Sequence, residues 1–201
     1  MKRVAAIVAA AGYGRRYGAE RKLAAILAGR PVLAWTLDAL RELPLAQRVL
    51  VVAPGDETAA ALARSAEASL AVNRDPAQGL GASIACGVRA LSPDVDGVLI
   101  VLGDMPRVRP ASIAVLLERL ETLCDGAVVA PLHRGRRGHP VLFGAAHLPA
   151  LAALTGDEGA RAVLAGAQLT SVDVDDPGVL LDIDTPADLA AASGGDRQGG
   201  S

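Results

Sequence analysis

The stretch VAAIVAAAGYGRRYG, residues 4–18, decides the fold of this chain. Its first six residues are apolar and predict a buried strand, and the remainder predicts a loop of small side chains. In such a loop a ligand can lie against the backbone, whose N–H groups then face phosphate oxygens. Arg16 and Lys22 place positive charge beside the loop. The stretch therefore predicts a phosphate-binding strand end; the alternative is a tight turn with solvated cations.

Composition narrows the class of protein. The 201 residues fit one domain, and a content of 51% hydrophobic but only 2% aromatic residues requires an aliphatic core. A net charge of −2 argues against the global basic field that recruits nucleic acid. Cys86 and Cys124 lack metal-ligand spacing, so we expect two small core residues rather than a disulfide or a metal pair.

The N-terminus predicts neither a signal peptide nor a membrane span. Lys2 and Arg3 precede an apolar run of about six residues, which is too short for either. We expect a cytoplasmic protein whose partners are small-molecule substrates, with no nucleic acid and no membrane among them.

Strand-like and helix-like patterns alternate along the chain, which predicts an α/β fold. We expect a single Rossmann-like domain of three layers, α/β/α, around a mostly parallel sheet, over residues 1–192. A polar tail, residues 193–201, is expected to be disordered. The predicted strands are residues 3–9, 48–53, 70–73, 97–102, 127–130, 140–143, 169–174 and 180–183. The predicted helices are residues 31–40, 56–69, 81–91, 110–123, 148–154, 159–164 and one that begins at Thr185-Pro186.

Ligands of doubly wound sheets bind at the carboxyl ends of the strands, and a second glycine-containing loop follows such an end. Asn73 ends a predicted strand, and Gly79, Gly81 and Ser83 lie at the start of the next helix. Free N–H groups at a helix start favour an anion or a base edge. The alternative is that the glycines only supply turn geometry.

Three aspartates also follow predicted strands. Asp104 follows the most apolar one, residues 97–102, while Asp182 and Asp184 lie at the end of the last one. Strand alternation places Asp182 and Asp184 on one face, so that they could converge on one ion. Carboxylates in this position are typical ligands of Mg²⁺ that bridges phosphates. Capping of the following helices is the alternative for Asp104 and Asp184, and Thr185 is a further candidate N-cap.

A basic turn, residues 134–140, reads RGRRGHP. It is the second cluster of cations on a slightly acidic chain and could receive a second anionic substrate through Arg137, Gly138 and His139. The alternatives are a solvated charged loop and a histidine that only orients it.

Six motifs occur in order along the chain. They are AAGxGxRxG with Lys22 (residues 10–22), NxxxxxGxGxS (73–83), GDMP (103–106), GHP (138–140), GDxGAR (156–161) and DIDTP (182–186). Over residues 3–192 the chain resembles the MobA-like nucleotidyltransferases, and within them the molybdenum cofactor cytidylyltransferases. The resemblance implies a fold of the nucleotide-diphospho-sugar transferase type.

The resemblance also implies a reaction and a set of roles. CMP would pass from CTP to molybdopterin-bound molybdenum, with Mg²⁺ as cofactor and pyrophosphate as the leaving group. Arg16, Lys22 and Asp104 would be catalytic, and Asp104 would bind Mg²⁺ with Asp182 or Asp184. The acceptor would lie near Arg137, Gly138 and His139. The implied nucleotide-binding residues are Ala10, Ala11, Gly12, Gly14, Gly18, Lys22, Asn73, Gly79, Gly81 and Ser83.

Several positions depart from the family pattern or bear on nucleotide choice. Guanylyl-transferring relatives usually have glycine where this chain has Ala11, and a methyl group there favours the smaller pyrimidine base. Gly14 replaces a usual serine, Tyr17 a usual methionine, and one extra residue precedes Lys22, as in cytidylyltransferases of isoprenoid synthesis. The alternatives are a guanylyltransferase, another cytidylyltransferase with a different phosphorylated acceptor, or a non-enzymatic cofactor chaperone. A molybdoenzyme or its chaperone would receive the product.

Overall fold

The structure of the protein, a computed structural model, describes residues 1–12, 22–157 and 159–194. The strands in these ranges are β1 (Val4–Ala9), β2 (Ile26–Leu27), β3 (Arg30–Pro31), β4 (Gln47–Val52), β5 (Ser69–Val72), β6 (Gly97–Leu102), β7 (Ala127–His133), β8 (Arg136–Arg137), β9 (Val141–Gly144) and β10 (Gln168–Asp173). The helices are α1 (Val32–Arg41), α2 (Glu57–Ser65), α3 (Leu80–Arg89), α4 (Pro110–Glu121), α5 (Leu148–Ala152), α6 (Arg161–Ala165) and α7 (Pro186–Gly194).

The main sheet has the strand order β10-β7-β9-β6-β1-β4-β5, with β8 paired to β7. The pairs β1–β4, β1–β6, β4–β5 and β7–β10 are parallel, whereas β9 runs antiparallel to both β6 and β7. β2 and β3 form a separate short hairpin. β1 lies near the centre, as its fully apolar sequence requires, because a parallel strand is covered by helices on both faces.

Helices cover both faces of the sheet and produce two apolar clusters. On one face Leu50 and Leu99 pack with residues of α1, α2 and α4, including Leu37 and Leu116. On the other face Ile7, Ile100 and Phe143 pack with residues of α3 and α5. The alternation of neighbouring strand residues between the two clusters confirms the predicted three-layer α/β fold with a mostly parallel sheet.

The predicted strand over residues 180–183 is wrong. Pro177–Leu180 form a 3-10 helix, and the described residues 181–184 belong to no strand. The backbone N–H of Ile183 instead donates to the carbonyl of Asp104, over 2.9 Å. The mostly apolar residues 180–183 therefore belong to a segment that crosses the strand ends rather than to one that extends the sheet.

Smaller differences from the prediction concern the end of the last helix and the exposure of the cysteines. α7 extends to Gly194, two residues past the predicted end of the domain at residue 192, and residues 195–201 lie outside the described ranges. Cys124 is exposed, which corrects its assignment to the core, while Cys86 is half-buried; both are free thiols. None of the described helices is long and apolar enough to cross a membrane.

Candidate active site

A cleft of about 510 Å³ opens at the carboxyl ends of β1 and β6. We call it the first cleft. Its lining includes the end of β1, the 3-10 helix Lys22–Ala24, and the turn before α3. The lining residues are Ala9, Ala11, Gly12, Lys22, Leu23, Pro76, Ala77, Gly79, Leu80, Ser83, Leu102, Asp104, Asp157 and Asp184. This is the edge of the sheet at which doubly wound proteins bind ligands.

Lys22 joins two of the predicted carboxylates in this cleft. Its Nζ donates to Asp104 Oδ2 over 2.5 Å and to Asp184 Oδ1 over 2.8 Å. Burial alone lowers the pKa of Lys22, but the charges and hydrogen bonds of Asp104 and Asp184 outweigh burial and raise that pKa above its ordinary value. The side chains of Lys22 and Asp104 are only 14% and 16% exposed. Lys22 is therefore held protonated at the wall of the cleft.

Asp104 and Asp184 suit a divalent cation. The Oδ1 atom of Asp104 is buried and has no hydrogen-bond partner, whereas its Oδ2 atom is bonded to Lys22. Mg²⁺ in proteins commonly binds one or two carboxylates and completes its shell with substrate phosphates and water. The unpaired oxygen of Asp104, with Asp184 beside the same ammonium, fits such a set. The described residues contain no group of three or more potential metal ligands.

The turn before α3 is shaped by close backbone contacts. Gly79 has a φ of +92°, and a Cβ atom there would lie 2.0 Å from Asp157 Oδ1, so only glycine fits. The N–H of Gly81 donates to the carbonyl of Gly156 over 2.8 Å. Ser83 is buried at the cleft wall, and its Oγ accepts from Asn73 Nδ2 over 3.0 Å. Asn73 and Gly81 thus support the wall that Gly79 and Ser83 line.

A second cleft, of about 450 Å³, adjoins the first and shares Leu80, Leu102 and Asp157 with it. Its floor is apolar, and its rim carries three arginines and two aspartates, so that the positive charges are in excess. The apolar lining residues are Leu80, Ile84, Ile100, Leu102, Met105, Val141, Phe143, Ala160, Leu164, Val179 and Leu180. The remaining ones are Arg136, Arg137, Gly138, His139, Asp157, Arg161 and Asp182. The predicted acceptor residues all lie here.

His139 is the most perturbed group of the second cleft. Its Nδ1 atom is buried and has no hydrogen-bond partner. Burial lowers the pKa of His139 below its ordinary value; Arg137 and Arg161 act in the same direction, and Asp104 and Asp182 oppose them. The imidazole is therefore neutral at pH 7, and its Nδ1 atom is enclosed by the protein.

The two aspartates of the DIDTP motif diverge, which corrects their expected placement on one face. Asp184 lines the first cleft, whereas Asp182 is exposed and lines the second. The reason is that residues 181–184 are not a strand, so strand alternation does not apply. Thr185 is the N-cap as predicted: its N–H donates to Asp188 Oδ2 over 2.7 Å, and its Oγ1 accepts from Asp188 N over 3.2 Å.

The family of MobA-like NTP transferase domains matches this chain over residues 6–173. The chain belongs to this family. Membership agrees with a three-layer fold whose strand ends carry a lysine–carboxylate cluster next to a basic cleft, and the chain is a nucleotidyltransferase.

Curated relatives match part of the chain. The bifunctional protein GlmU of Sphingopyxis alaskensis is 38% identical over 142 residues, which cover 66% of this chain and 31% of that protein. The purine catabolism protein PucB of Bacillus subtilis is 34% identical over 122 residues, which cover 59% of this chain and 58% of that protein. The matches thus span less than two thirds of the length of either relative.

Solved structures match nearly the whole chain. Rv0371c of Mycobacterium tuberculosis has a TM-score of 0.78 and 26% identity, with 95% of this chain and 97% of that one covered. A nucleotidyl transferase from Methanothermobacter, Mth528, also has a TM-score of 0.78 and 26% identity, with 94% and 95% covered. A manganese complex of Rv0371c, at 24% identity and a TM-score of 0.75 with 95% and 97% covered, shares the fold.

The structure brings together only part of the predicted nucleotide-binding set. Ala11, Gly12, Lys22, Gly79 and Ser83 line the first cleft, whereas Ala10 is buried behind it. Gly14, Arg16 and Gly18 lie outside the described residues.

Sequence reasoning missed Asp157, which lines both clefts, and Arg136 and Arg161, which line the second. The GDxGAR motif at residues 156–161 contains Asp157 and Arg161 and could have pointed to both of them.

Proposed function

We propose that this nucleotidyltransferase transfers CMP from CTP to the terminal phosphate of the molybdenum cofactor and releases pyrophosphate, with Mg²⁺ as its metal. The observation that carries the proposal is the pair of adjoining clefts. One has a lysine held by two carboxylates, and the other has an apolar floor and a basic rim. A two-substrate transfer needs both sites side by side, because most of the catalysis is positioning and neutralisation of charge.

In the proposed reaction an acceptor phosphate oxygen forms a bond to the α-phosphorus of CTP. The bond from that phosphorus to the bridging oxygen breaks, and pyrophosphate leaves with the electron pair. Lys22 stays protonated and offsets the negative charge that develops on the leaving group. Mg²⁺, held by Asp104 and Asp184, would add further positive charge at the phosphates. No protein nucleophile is needed.

The chemistry of the second cleft supports an acceptor that combines a flat body with an anionic group. The half-buried side chains of Leu80, Leu164 and Leu180 provide an apolar surface for a ring system. The guanidinium group of Arg137 can bind a phosphate through two N–H groups, and the neutral imidazole of His139 can hydrogen-bond a heterocycle. A phosphorylated pterin has these features. We also propose that a molybdoenzyme or its chaperone receives the product.

The choice of CTP rests on Ala11. Ala11 lines the first cleft, but it is only 1% exposed and packs in the apolar cluster that contains Ile7. A glycine there would widen the cleft by one methyl group and would suit the larger purine better. A single methyl group changes selectivity by only about ten- to two-hundredfold, so the preference should be measurable but not absolute.

The test is pyrophosphate release with CTP, GTP, ATP and UTP, each with and without the molybdenum cofactor, in the wild type and in Ala11→Gly. We expect turnover only with the cofactor, fastest with CTP, and a smaller CTP-to-GTP ratio in the variant. Faster turnover with GTP in the wild type would overturn the cytidylyl assignment. Turnover with another phosphorylated acceptor but not with the cofactor would overturn the acceptor. No turnover with any nucleotide would favour a cofactor-binding module.

A further inference from the structure

A carboxylate buried outside both clefts accepts three hydrogen bonds and pairs with the side chain of Arg109, whose Nε lies 3.9 Å from its Oδ1. Asp176 is 1% exposed and lines neither cleft. Its Oδ2 atom accepts from the backbone N–H of Arg109 over 2.9 Å and from Ser112 Oγ over 2.7 Å. Its Oδ1 atom accepts from the backbone N–H of Gly178 over 2.9 Å. Burying a charge is costly unless its hydrogen bonds are satisfied, so these partners fix the carboxylate in one geometry.

Asp176 joins two segments that are distant in sequence. Arg109 and Ser112 belong to the start of α4, where the N-cap residue Arg109 makes no side-chain cap of its own. Gly178 belongs to the 3-10 helix Pro177–Leu180, which we call the strap. The two segments are packed so closely that a Cβ atom at Gly178 would lie 2.0 Å from the carbonyl oxygen of Arg107. Asp176 therefore fastens the strap to α4.

The strap in turn holds the edge of the second cleft. Val179 is fully buried, and its carbonyl accepts from the backbone N–H of His139 over 2.8 Å. A Cβ atom at Gly138 would lie 2.3 Å from the same carbonyl oxygen, so the strap and the GHP turn are in direct backbone contact. Val179 and Leu180 also line the second cleft themselves. Displacement of the strap would move His139 and one wall of that cleft together.

The first cleft is anchored by other contacts. Beyond the strap, Ile183 is buried and its N–H donates to the carbonyl of Asp104 over 2.9 Å. Thr185 and Asp188 cap α7 reciprocally, so Asp184 lies between two local anchors. Lys22 binds Asp184 from a third segment. The position of Asp184 thus depends little on Asp176.

We propose that Asp176 is a positioning residue for the acceptor: it fastens the strap to α4 and thereby sets the position of His139 and of the wall formed by Val179 and Leu180. We expect Asp176 to affect binding of the acceptor and not of the nucleotide, because Asp104 and Asp184 in the first cleft are held by other contacts. This role rests on the proposed function of the second cleft as the acceptor site.

Asp176→Asn tests the proposal with little change of shape. The amide retains one accepting oxygen, but its NH₂ group cannot accept, so one of the N–H groups of Arg109 and Gly178 loses its partner. We expect the KM for the molybdenum cofactor to rise about tenfold while the KM for CTP stays within about twofold, since loss of one such bond is of the order of a tenfold change. Equal rises in both KM values, or an unchanged KM for the cofactor, would overturn the proposal.

Two further variants separate positioning from loss of stability. Ser112→Ala removes one bond of the same carboxylate and should raise the KM for the cofactor in the same direction, less than additively with Asp176→Asn. Asp56→Asn is the matched control, because Asp56 also caps a helix, accepting from the N–H of Ala59 over 3.1 Å, but lines neither cleft. It should lower stability and leave both KM values unchanged.

A substrate-free measurement keeps the inference separate from the proposed function. Amide hydrogen exchange, resolved by NMR, should be faster at His139 in Asp176→Asn than in the wild type, and unchanged in Asp56→Asn, because the N–H of His139 donates to Val179. Unchanged exchange at His139 in Asp176→Asn would overturn the positioning role. If the wild type does not turn over the cofactor, the proposed function fails, and the exchange result alone decides whether Asp176 controls the second cleft.

Discussion

The two clefts are built by different means. The first is formed by segments that directly follow strands, with backbone and small residues such as Ala11, Gly12 and Gly79 at its wall. The second is formed largely by side chains of α3, β6, β8, β9, α6 and the strap, and its charged residues are exposed. A wall made of backbone admits few ligand shapes, whereas a wall made of side chains can vary in chemistry at constant fold. This difference suits a shared nucleotide and a variable acceptor.

The electrostatic difference between the clefts is equally clear. In the first, Lys22 is bonded to Asp104 and Asp184 in the absence of substrate. In the second, the side chains of Arg137 and Arg161 form no ion pair or hydrogen bond with any other described residue and can bind an anion directly. We therefore expect variants of the two clefts to have separable kinetic effects.

The largest effect is expected for Asp104→Asn. The variant retains the shape of the side chain but removes the buried charge that faces the first cleft and binds Lys22. We expect kcat to fall about a thousandfold, as when a group that stabilises developing charge is removed, with acceptor binding unchanged. Pyrophosphate release and titration of the acceptor measure the two quantities.

Asp94→Asn is the matched control for this variant. Asp94 pairs with Arg3, lines neither cleft and is half-exposed. It should leave kcat unchanged. Substantial turnover in Asp104→Asn, or a loss of acceptor binding as large as the loss of turnover, would refute the assignment of Asp104 to the nucleotide side.

A smaller effect, confined to the second cleft, is expected for Arg137→Ala. Loss of one guanidinium from the basic rim should raise the KM for the acceptor about ten- to a hundredfold and leave the KM for CTP unchanged. The acceptor KM of the wild type should also rise with ionic strength, and less steeply in the variant, because exposed charges are screened by salt.

Arg134→Ala controls for the charge of the basic turn. Arg134 is exposed in the same turn but does not line the second cleft. If Arg134→Ala and Arg137→Ala raise the acceptor KM equally, the turn attracts anions by its overall charge and Arg137 has no specific role.

The sequence predicted the first cleft better than the second. Strands and helices followed from the periodicity of apolar residues, and the first cleft followed because residues after parallel strands meet at one edge of the sheet. Asp104 and Lys22 were therefore predicted together although 82 positions separate them. The strand at residues 180–183 was wrong because a short apolar run does not reveal whether a neighbouring strand is available. The N–H of Ile183 is instead bonded to Asp104.

The contacts that sequence reasoning missed are tertiary and have no local signature. Asp176 is separated by 67 positions from Arg109 and by 64 from Ser112, and an Asp-Pro pair by itself indicates only a turn. Asp157 reaches both clefts because its loop packs against Gly79, which the spacing of glycines does not reveal. The residues that hold the second cleft in place could be identified only from the folded structure.

The smallest effect concerns the pH dependence of stability at the boundary between the clefts. Burial lowers the pKa of His139; Arg137 and Arg161 add to this effect, whereas Asp104 and Asp182 oppose it. The unfolded chain then binds a proton at a higher pH than the folded one does, so the contribution of His139 to stability is present above pH 6.5 and is lost as the pH falls toward the lowered pKa. The free energies of unfolding of the wild type and of His139→Gln can be measured with denaturant in the presence of a chelator. We expect the difference between the two free energies to shrink as the pH falls. A difference that grows as the pH falls would mean that the charges of Asp104 and Asp182 outweigh burial and the two arginines, and that the pKa of His139 is raised in the folded chain.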